Sequence, residues 1–392
     1  MLSDNERISL NRNALKDAGL DAVVCALPSN VLLLSGYWPV IGTSLAFFST
    51  EGELILLVPD DEKRLADNGW ADEIIAFSTG NLTELKTLAE TVEPALKKIC
   101  ARFQNAKIGF EASPANEPVS YASMNQYGAA IKDLLCTAFS SASLVPADDM
   151  LARLRAVLTP GEIERTRKAC SIAAAAFADG MAKMNAEMAE KEIANAFHRN
   201  LSLTDARAGG FTFCMSGENS YHAYAAFQLS RQRRLQNGDL ALVHCNSYAN
   251  GFWTDITRTY CIGEPDEKKQ RMYDAVFDAL DAAIAAIRPG VAASAVDAAA
   301  RKVLTERGFG NTFKHGLGHS VGFNAIDHNA LPRLHPASVD VLETGMVFNV
   351  EPAIYIEGYG GMRHCDMVAV GTSGAEILTD FQRTSDDMVI LK

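Results

Sequence analysis

Six of the eight histidines crowd into one stretch of the chain: His244, His315, His319, His328, His335 and His364. Histidine is the commonest metal ligand and the usual acid–base group near neutral pH, so this stretch is marked for chemistry. Asn250-Gly251 separates two runs of β-character, 239–248 and 251–262, and is a strong hairpin signal. A turn on Ala249-Asn250 sets His244 directly opposite Asp255, and a turn on Asn250-Gly251 sets it diagonal. Side chains alternate along a strand, so either register keeps the two on one face. Such a pair holds one metal ion or forms a hydrogen-bonded couple. A solvated surface pair is the alternative, and apolar Leu242, Val243, Phe252 and Trp253 speak against it.

A second hairpin is expected from strands 346–356 and 363–371, flanking the glycine-rich turn 358–361. Centred on Gly358, it places Glu351 opposite Cys365 and His364 on the other face. Glu351 lies within MVFNVEPAIYI, which predicts burial. A buried carboxylate is rare unless it is paired or ligating, so the alternatives are a metal or a bond to Arg363 or a backbone amide. Between the hairpins, His315-Gly-Leu-Gly-His319 brings two histidines among glycines, which let backbone approach a site closely. It is not a zinc-binding HExxH helix, since no Glu follows the first His. His328 and His335 read as hydrogen-bonded core or surface residues.

The elements that must position these residues fall into two domains, 1–150 and 151–392. The first alternates strand-like runs (21–27, 44–49, 53–59, 73–77, 107–111) with helical ones (5–18, 60–68, 82–103), an α/β pattern. The second opens on Thr159-Pro160 with Glu162, a strong helix start, and that helix should reach about residue 183. Helices over 190–201 and 267–287, and one capped by Ser294 and ending at Gly308, complete an α+β half.

Composition narrows the function. The 392 residues carry 36 basic and 48 acidic side chains, a net charge of −12. That gives no footprint for nucleic acid and no attraction to an anionic membrane. No run of 18 apolar residues predicts a membrane span, and the charged N-terminus lacks a secretory core. Eight scattered cysteines without a CxxC pair read as reduced thiols, hence a cytoplasmic protein.

The combination TDITRT (254–259), HGLGH (315–319), GMVFNVEP (345–352) and GGMRHCD (360–366), with DAVVCALPSNVLLLSGY (21–37) and LRAVLTPGEIER (154–165), resembles the creatinase, aminopeptidase P, prolidase and methionine aminopeptidase family. The resemblance implies a pita-bread catalytic domain behind a creatinase-like α/β N-terminal domain, and commonly a homodimer. The family's metallopeptidases hold two divalent ions with two Asp, one His and two Glu. Asp255, His319 and Glu351 match three of these positions. His244 stands where the first Asp is expected, eleven residues before Asp255, and Cys365 where the last Glu is expected. His315 and Arg363 match further family positions. The family's shuttling histidine is expected at 224, which is Tyr224, with His222 two residues earlier; a late one is expected at Ile326, with His328 two residues further on.

Two carboxylates instead of four favour one divalent ion or none. His and Cys are softer donors, which favours Zn²⁺ or Fe²⁺ over Mn²⁺. The expected function is a hydrolase cutting a C–N bond in an Xaa-Pro-like dipeptide or small amide, with a mononuclear site of His244, Asp255, His319, Glu351 and Cys365. Alternatives are a metal-free creatinase-like amidinohydrolase or amidohydrolase, using His244 or His222 as acid–base and Glu351 to activate water, a non-hydrolytic lyase, or an inactive binding homologue. Trp38, Phe211, Phe213, Tyr221, Tyr224 and Phe323 are candidate specificity residues.

Overall fold

A computed structural model describes residues 4–391 apart from 41–42, 79, 82, 113–128, 205 and 225–229. The chain divides into two compact units, Met1–Arg155 and Ala156–Lys392.

In the first unit, helix α1 (Asn5–Asp17) precedes a six-stranded sheet built from β1 (Ala22–Cys25), β2 (Leu45–Ser49), β3 (Leu54–Pro59), β4 (Glu73–Phe77), β5 (Lys107–Phe110) and β6 (Ser143–Pro146), in the order β4-β3-β2-β1-β5-β6. Val24, Phe47, Ile55, Leu57 and Ile108 build its core against Val92, Leu96 and Phe139. Helix Pro28–Ser35, which no sequence signal had suggested, follows β1. Pro28 opens it, and Gly36 closes it with φ +68°. Its N-terminus has no side-chain cap of its own. The buried carboxylate of Glu111 caps it instead, accepting from the N–H of Ala26 (2.8 Å) and Leu27 (3.1 Å) and from Asn30 Nδ2 (2.8 Å). The expected helix 82–103 is confined to Leu88–Cys100, because Thr87 and Glu90 close a capping box there; residue 82 lies outside the described residues. The helix expected over 60–68 shrinks to a 3₁₀ turn, Asp60–Glu62, and one α-turn, Lys63–Ala66.

The second unit opens on α-helix Pro160–Lys183, started by the Thr159–Glu162 capping box. Helix Glu190–Arg199 leads into β7 (Ala208–Ser216), which pairs with β8 (Leu240–Ala249), itself paired with β9 (Phe252–Ile262). Asn250 (φ +51°) and Gly251 (φ +89°) make the turn between β8 and β9. Both central residues therefore have positive φ, the conformation that two-residue hairpins favour. Helices Glu267–Ala286 and Ala293–Glu306 follow. Ser294 is not the cap of the latter: the N-cap is Ala292, without a side-chain bond.

The last hairpin is interrupted. Its first arm is β10 (Val347–Val350) and β11 (Ala353–Ile356), and its second arm is β12 (Gly360–Arg363) and β13 (Asp366–Val370). Strand β10 pairs with β13, and β11 pairs with β12, in separate sheets. Both pairings keep the register centred on Gly358. The breaks fall at Glu351-Pro352 and His364-Cys365, since proline cannot donate to a ladder. Glu351 and Cys365 are thus freed from the ladder at the same level. Cys365 instead bridges to Thr257 of β9, its N–H donating to the Thr257 carbonyl at 3.0 Å. Buried Arg258 locks the junction, donating to the Cys365 carbonyl (2.7 Å) and to Asp366 (2.8 Å).

Candidate metal and catalytic site

The turn on Asn250-Gly251 decides which residues meet. His244 pairs with Thr257, and Asn246 pairs with Asp255. His244 is diagonal to Asp255 on the same face, its Nδ1 lying 3.8 Å from Oδ1. The Cys365–Thr257 bridge and the break after Val350 then bring three donors together. Ligand atoms of Asp255, Glu351 and Cys365 all lie within 4.8 Å of one another, and all three residues are buried. The Cys365 Sγ sits 3.4 Å from Asp255 Oδ1.

His319 joins from the glycine-rich loop. That loop is tied down by helix Ala293–Glu306: Asp297 accepts from the Leu317 N–H (3.0 Å), and Arg301 donates to the His315 carbonyl (2.5 Å). The Glu351 N–H donates to the Leu317 carbonyl at 2.8 Å, which registers the loop on the hairpin break. His319 Nδ1 lies 3.1 Å from the Ser320 carbonyl, which only accepts, so Nδ1 carries the proton. Nε2 is then the acceptor, taking a long bond from Asn349 Nδ2 at 3.3 Å and lying 3.6 Å from Asp255 Oδ2. Asn349 also fixes the His319 backbone, its Oδ1 accepting from the His319 N–H at 2.7 Å. A histidine with one nitrogen bonded to a carbonyl and the other facing carboxylates is oriented for ligation.

His244 is different, and its expected part as a ligand is not what the geometry offers. Arg363 has only donors, and its Nη2 lies 3.0 Å from His244 Nδ1, so Nδ1 must accept. Nε2 therefore carries the proton and donates to Asn246 Oδ1 at 2.6 Å. Asn246 Nδ2 in turn donates to Asp255 Oδ2 at 3.0 Å. Neither ring nitrogen is left for a metal. Burial holds the His244 pKa down to about 4, so its ring is neutral at physiological pH. A neutral ring can act only as a base, and its basic nitrogen already accepts from Arg363.

Arg363 is buried at the centre of the cluster. Its Nε donates to Thr257 Oγ1 (3.0 Å) and lies 3.6 Å from Glu351 Oε2. On the other side of Glu351, His315 Nδ1 is 3.9 Å from Oε1. The Tyr355 hydroxyl donates to His315 Nε2 at 3.0 Å, because Nδ1 donates to the Gly316 carbonyl. Burial, with Arg363 adding to it, lowers His315 to about 3, again a neutral ring.

The electrostatics suit a cation. Burial pushes the Glu351 carboxyl up, and the Asp255 charge adds to it. Burial also opposes the ionisation of Asp255, but His244, His319 and Arg363 outweigh it and hold that carboxyl below its ordinary range. The Cys365 thiol is pushed well up by burial and by both carboxylates. A divalent ion at this point would reverse the shifts of Glu351 and Cys365. The residues fit a divalent ion: two carboxylates and one thiol converge, with His319 Nε2 3.6 Å from one of the carboxylates, a donor set of the kind zinc takes.

Several expected residues lie apart. His222 is exposed in a 3₁₀ segment, Gly217–Tyr224, with its ring 5.1 Å from that of Tyr221. The His328 ring lies tilted against that of His319, 5.5 Å away, and its buried Nδ1 has no hydrogen bond. His335 is exposed, and its Nδ1 accepts from the Ala337 N–H. His364 points to the other face as expected, against Phe277. Asn246, Thr257, Asn349 and Tyr355 were missed. Asn246 and Thr257 carried a signal: one shares the His244 face at a spacing of two, and the other is its partner once the turn is placed.

An antiparallel catalytic half built on interrupted hairpins, with acidic, thiol and imidazole donors meeting at the breaks, defines a metallohydrolase-type site. The chain belongs to metallopeptidase family M24, which matches residues 164–372, and residues 7–157 match the creatinase/prolidase N-terminal domain. It is thus a hydrolase of the Xaa-Pro peptidase and creatinase family with a two-domain pita-bread architecture. It is 34% identical over 237 residues to the Xaa-Pro dipeptidase of Pyrococcus furiosus, covering 60% of this chain and 66% of that one. It is 27% identical over 380 residues to the Xaa-Pro dipeptidase of Pyrococcus horikoshii, covering 97% and 98%. The crystal structure of the Pyrococcus horikoshii prolidase superposes with a TM-score of 0.75 at 26% identity, over 96% of this chain and 98% of the other. The X-Pro aminopeptidase structure from Thermotoga maritima shares the fold, with a TM-score of 0.80 at 24% identity over 97% and 100%. Among the described residues, no helix is long and apolar enough to cross a membrane.

Proposed function

We propose that this chain cleaves the C–N bond of Xaa-Pro dipeptides, with a single divalent ion held by Asp255, His319, Glu351 and Cys365. The observation that carries this reading is the convergence of three ligand atoms from Asp255, Glu351 and Cys365 within 4.8 Å. When bound, such an ion supplies a Lewis acid and activates water. Zn²⁺ or Fe²⁺ is favoured over Mn²⁺ because a thiol and an imidazole stand among the donors.

One ion also suits the charge. Asp255 and Glu351 contribute two negative charges, while Arg363 adds a permanent positive one. One divalent ion leaves a surplus of one, which a thiolate or hydroxide neutralises. A second ion would leave a surplus of three in a buried site, which is prohibitive.

The protein's own groups do the rest. Arg363 and His315 flank the two Glu351 oxygens and fix the carboxylate's orientation. As an ionised carboxylate, Glu351 can take a proton from the attacking water. The relay from Arg363 through His244 and Asn246 holds Asp255 in place.

Arg363 itself favours a second reading, a metal-free amidohydrolase, because it already provides a cation beside Glu351. Elemental mass spectrometry on chelator-free protein, paired with hydrolysis of alanyl-proline, separates the two. About one ion per chain, with hydrolysis abolished by chelation, is the expected outcome; hydrolysis at zero metal would install the second reading. A homodimer and a cytoplasmic location follow from the family resemblance and the cysteine usage, and light scattering checks the first.

A further inference from the structure

The sheet face that carries Asp255 continues past it. Strand β8 presents His244, Asn246 and Tyr248 on this face, because side chains alternate along a strand. Strand β9 pairs Asp255 with Asn246 and Trp253 with Tyr248, and β7 pairs Phe211 with Asn246 and Gly209 with Tyr248. The face is closed at its inner end: Phe213 packs 4.9 Å from the His244 ring, and both are buried, as are Asn246 and Asp255. It then opens, for Phe211, Tyr248 and Trp253 are only half-buried. The Tyr248 and Trp253 rings meet edge-on, 4.8 Å apart. Tyr248 also reaches across β7, where a Cβ on Gly209 would lie 2.7 Å from its hydroxyl. Glycine at 209 therefore lets the ring lie across the strand. The three rings form an uncharged aromatic shelf. It starts level with Asp255 and reaches Trp253 two residues further along β9, about 7 Å away.

Arg363 lies toward the other end of this face. Its guanidinium bonds to Thr257 and His244, one residue pair to the opposite side of Asp255 from the shelf. The free α-ammonium of a dipeptide is repelled by that permanent cation. The residue bearing it is thus turned away from Arg363, over the shelf. We infer that Phe211, Tyr248 and Trp253 receive the side chain of the substrate's N-terminal residue and select a large apolar or aromatic one ahead of the proline. This rests on the dipeptidase reading above. A flat ring on this shelf gains both burial and edge-to-face contact. An acidic side chain would lose its water to uncharged ring faces.

The test compares phenylalanyl-proline with alanyl-proline on the metal-loaded protein. Hydrolysis is read as kcat/KM, and binding by calorimetry of the reduced-bond analogues, in which a methylene replaces the scissile carbonyl. The wild type should favour the phenylalanyl compound by at least about tenfold in both, the scale of one well-packed ring. Trp253→Ala should bring the two compounds to within about twofold, and Trp253→Phe should keep most of the preference. Phe211→Ala should narrow the preference too, and it carries the test if Trp253→Ala does not fold. Equal treatment of the two compounds by the wild type, or a preference that survives both alanine substitutions, overturns the shelf and leaves the peptidase reading standing if both are hydrolysed. An analogue preference that Trp253→Ala abolishes, without hydrolysis of either dipeptide, supports the shelf and removes the peptidase reading instead.

Discussion

Arg363 reaches Asp255 through His244, its guanidinium donating to Nδ1 at 3.0 Å while the opposite ring nitrogen donates to Asn246, which donates to the carboxylate. Every hydrogen bond in this relay runs in one direction, because arginine can only donate. His244 is thereby a positioning residue for Asp255, although its place in the sequence is that of a ligand.

Metal content distinguishes the two roles. Asp255→Ala and His319→Ala should each lose the ion outright. His244→Gln should retain about one ion per chain with affinity weakened about 10–100-fold, the usual cost of removing a group that orients a ligand. Elemental analysis with a competition titration measures both. Loss of the ion in His244→Gln equal to that in Asp255→Ala would return His244 to the ligand set.

Cys365 should tune the choice of metal. Cobalt-substituted wild type should show a sulfur-to-metal charge-transfer band, and Cys365→Ser should lack it. The same substitution should lower the preference for Zn²⁺ over Mn²⁺ by roughly tenfold or more, since a thiolate donor is replaced by an oxygen. If the band is present in both proteins, the sulfur is not a ligand.

Gly318 holds the His319 loop against the hairpin. A Cβ there would lie 1.9 Å from the Asn349 carbonyl oxygen. Asn349 also accepts from the His319 N–H, so displacing it moves a ligand. Gly318→Ala should cost about 1–3 kcal/mol of stability, as overpacking does, and should reduce metal affinity as well. Denaturant unfolding and metal titration read the two effects separately. Retention of both would show that the loop can retreat without cost.

Glu111 should give the protein an unusual pH dependence. Burial pushes its carboxyl up to about 7, against the pull of the Ala26, Asn30 and Leu27 donors and Arg155. The folded state therefore holds this proton more tightly than the unfolded chain does. Its contribution is fully present below the ordinary carboxyl value of 4.5 and is lost as pH rises through about 7. The upper limit is about 3 kcal/mol. Glu111→Gln cannot ionise, and it should flatten the stability profile between pH 5 and about 8, measured as Tm in calorimetry. Parallel profiles for the two proteins would mean that the bound N–H groups keep Glu111 ionised throughout.

Much of the site was legible in the sequence because short-range rules reach it. Strand alternation placed His244 and Asp255 on one face, and a register centred on Gly358 set Glu351 level with Cys365. The capping pair Thr159–Glu162 marked the start of the long helix. Helix Pro28–Ser35 escaped notice because its cap, Glu111, comes from 81 residues beyond Asn30. No local pattern records such a partner.

What the sequence by itself determined was the family, the faces of the strands and the types of donor available. Those follow from residue identity, periodicity and turn chemistry, which act within a few residues. Only the tertiary structure decided what each donor does. It chose the Asn250-Gly251 register, split the last hairpin at Pro352, and drew Cys365 onto Thr257. It also spent the His244 lone pair on a buried arginine at 3.0 Å, while that of His319 meets only the longer contact from Asn349 at 3.3 Å. A lone pair has one direction, and what lies along it is set by elements more than a hundred residues away.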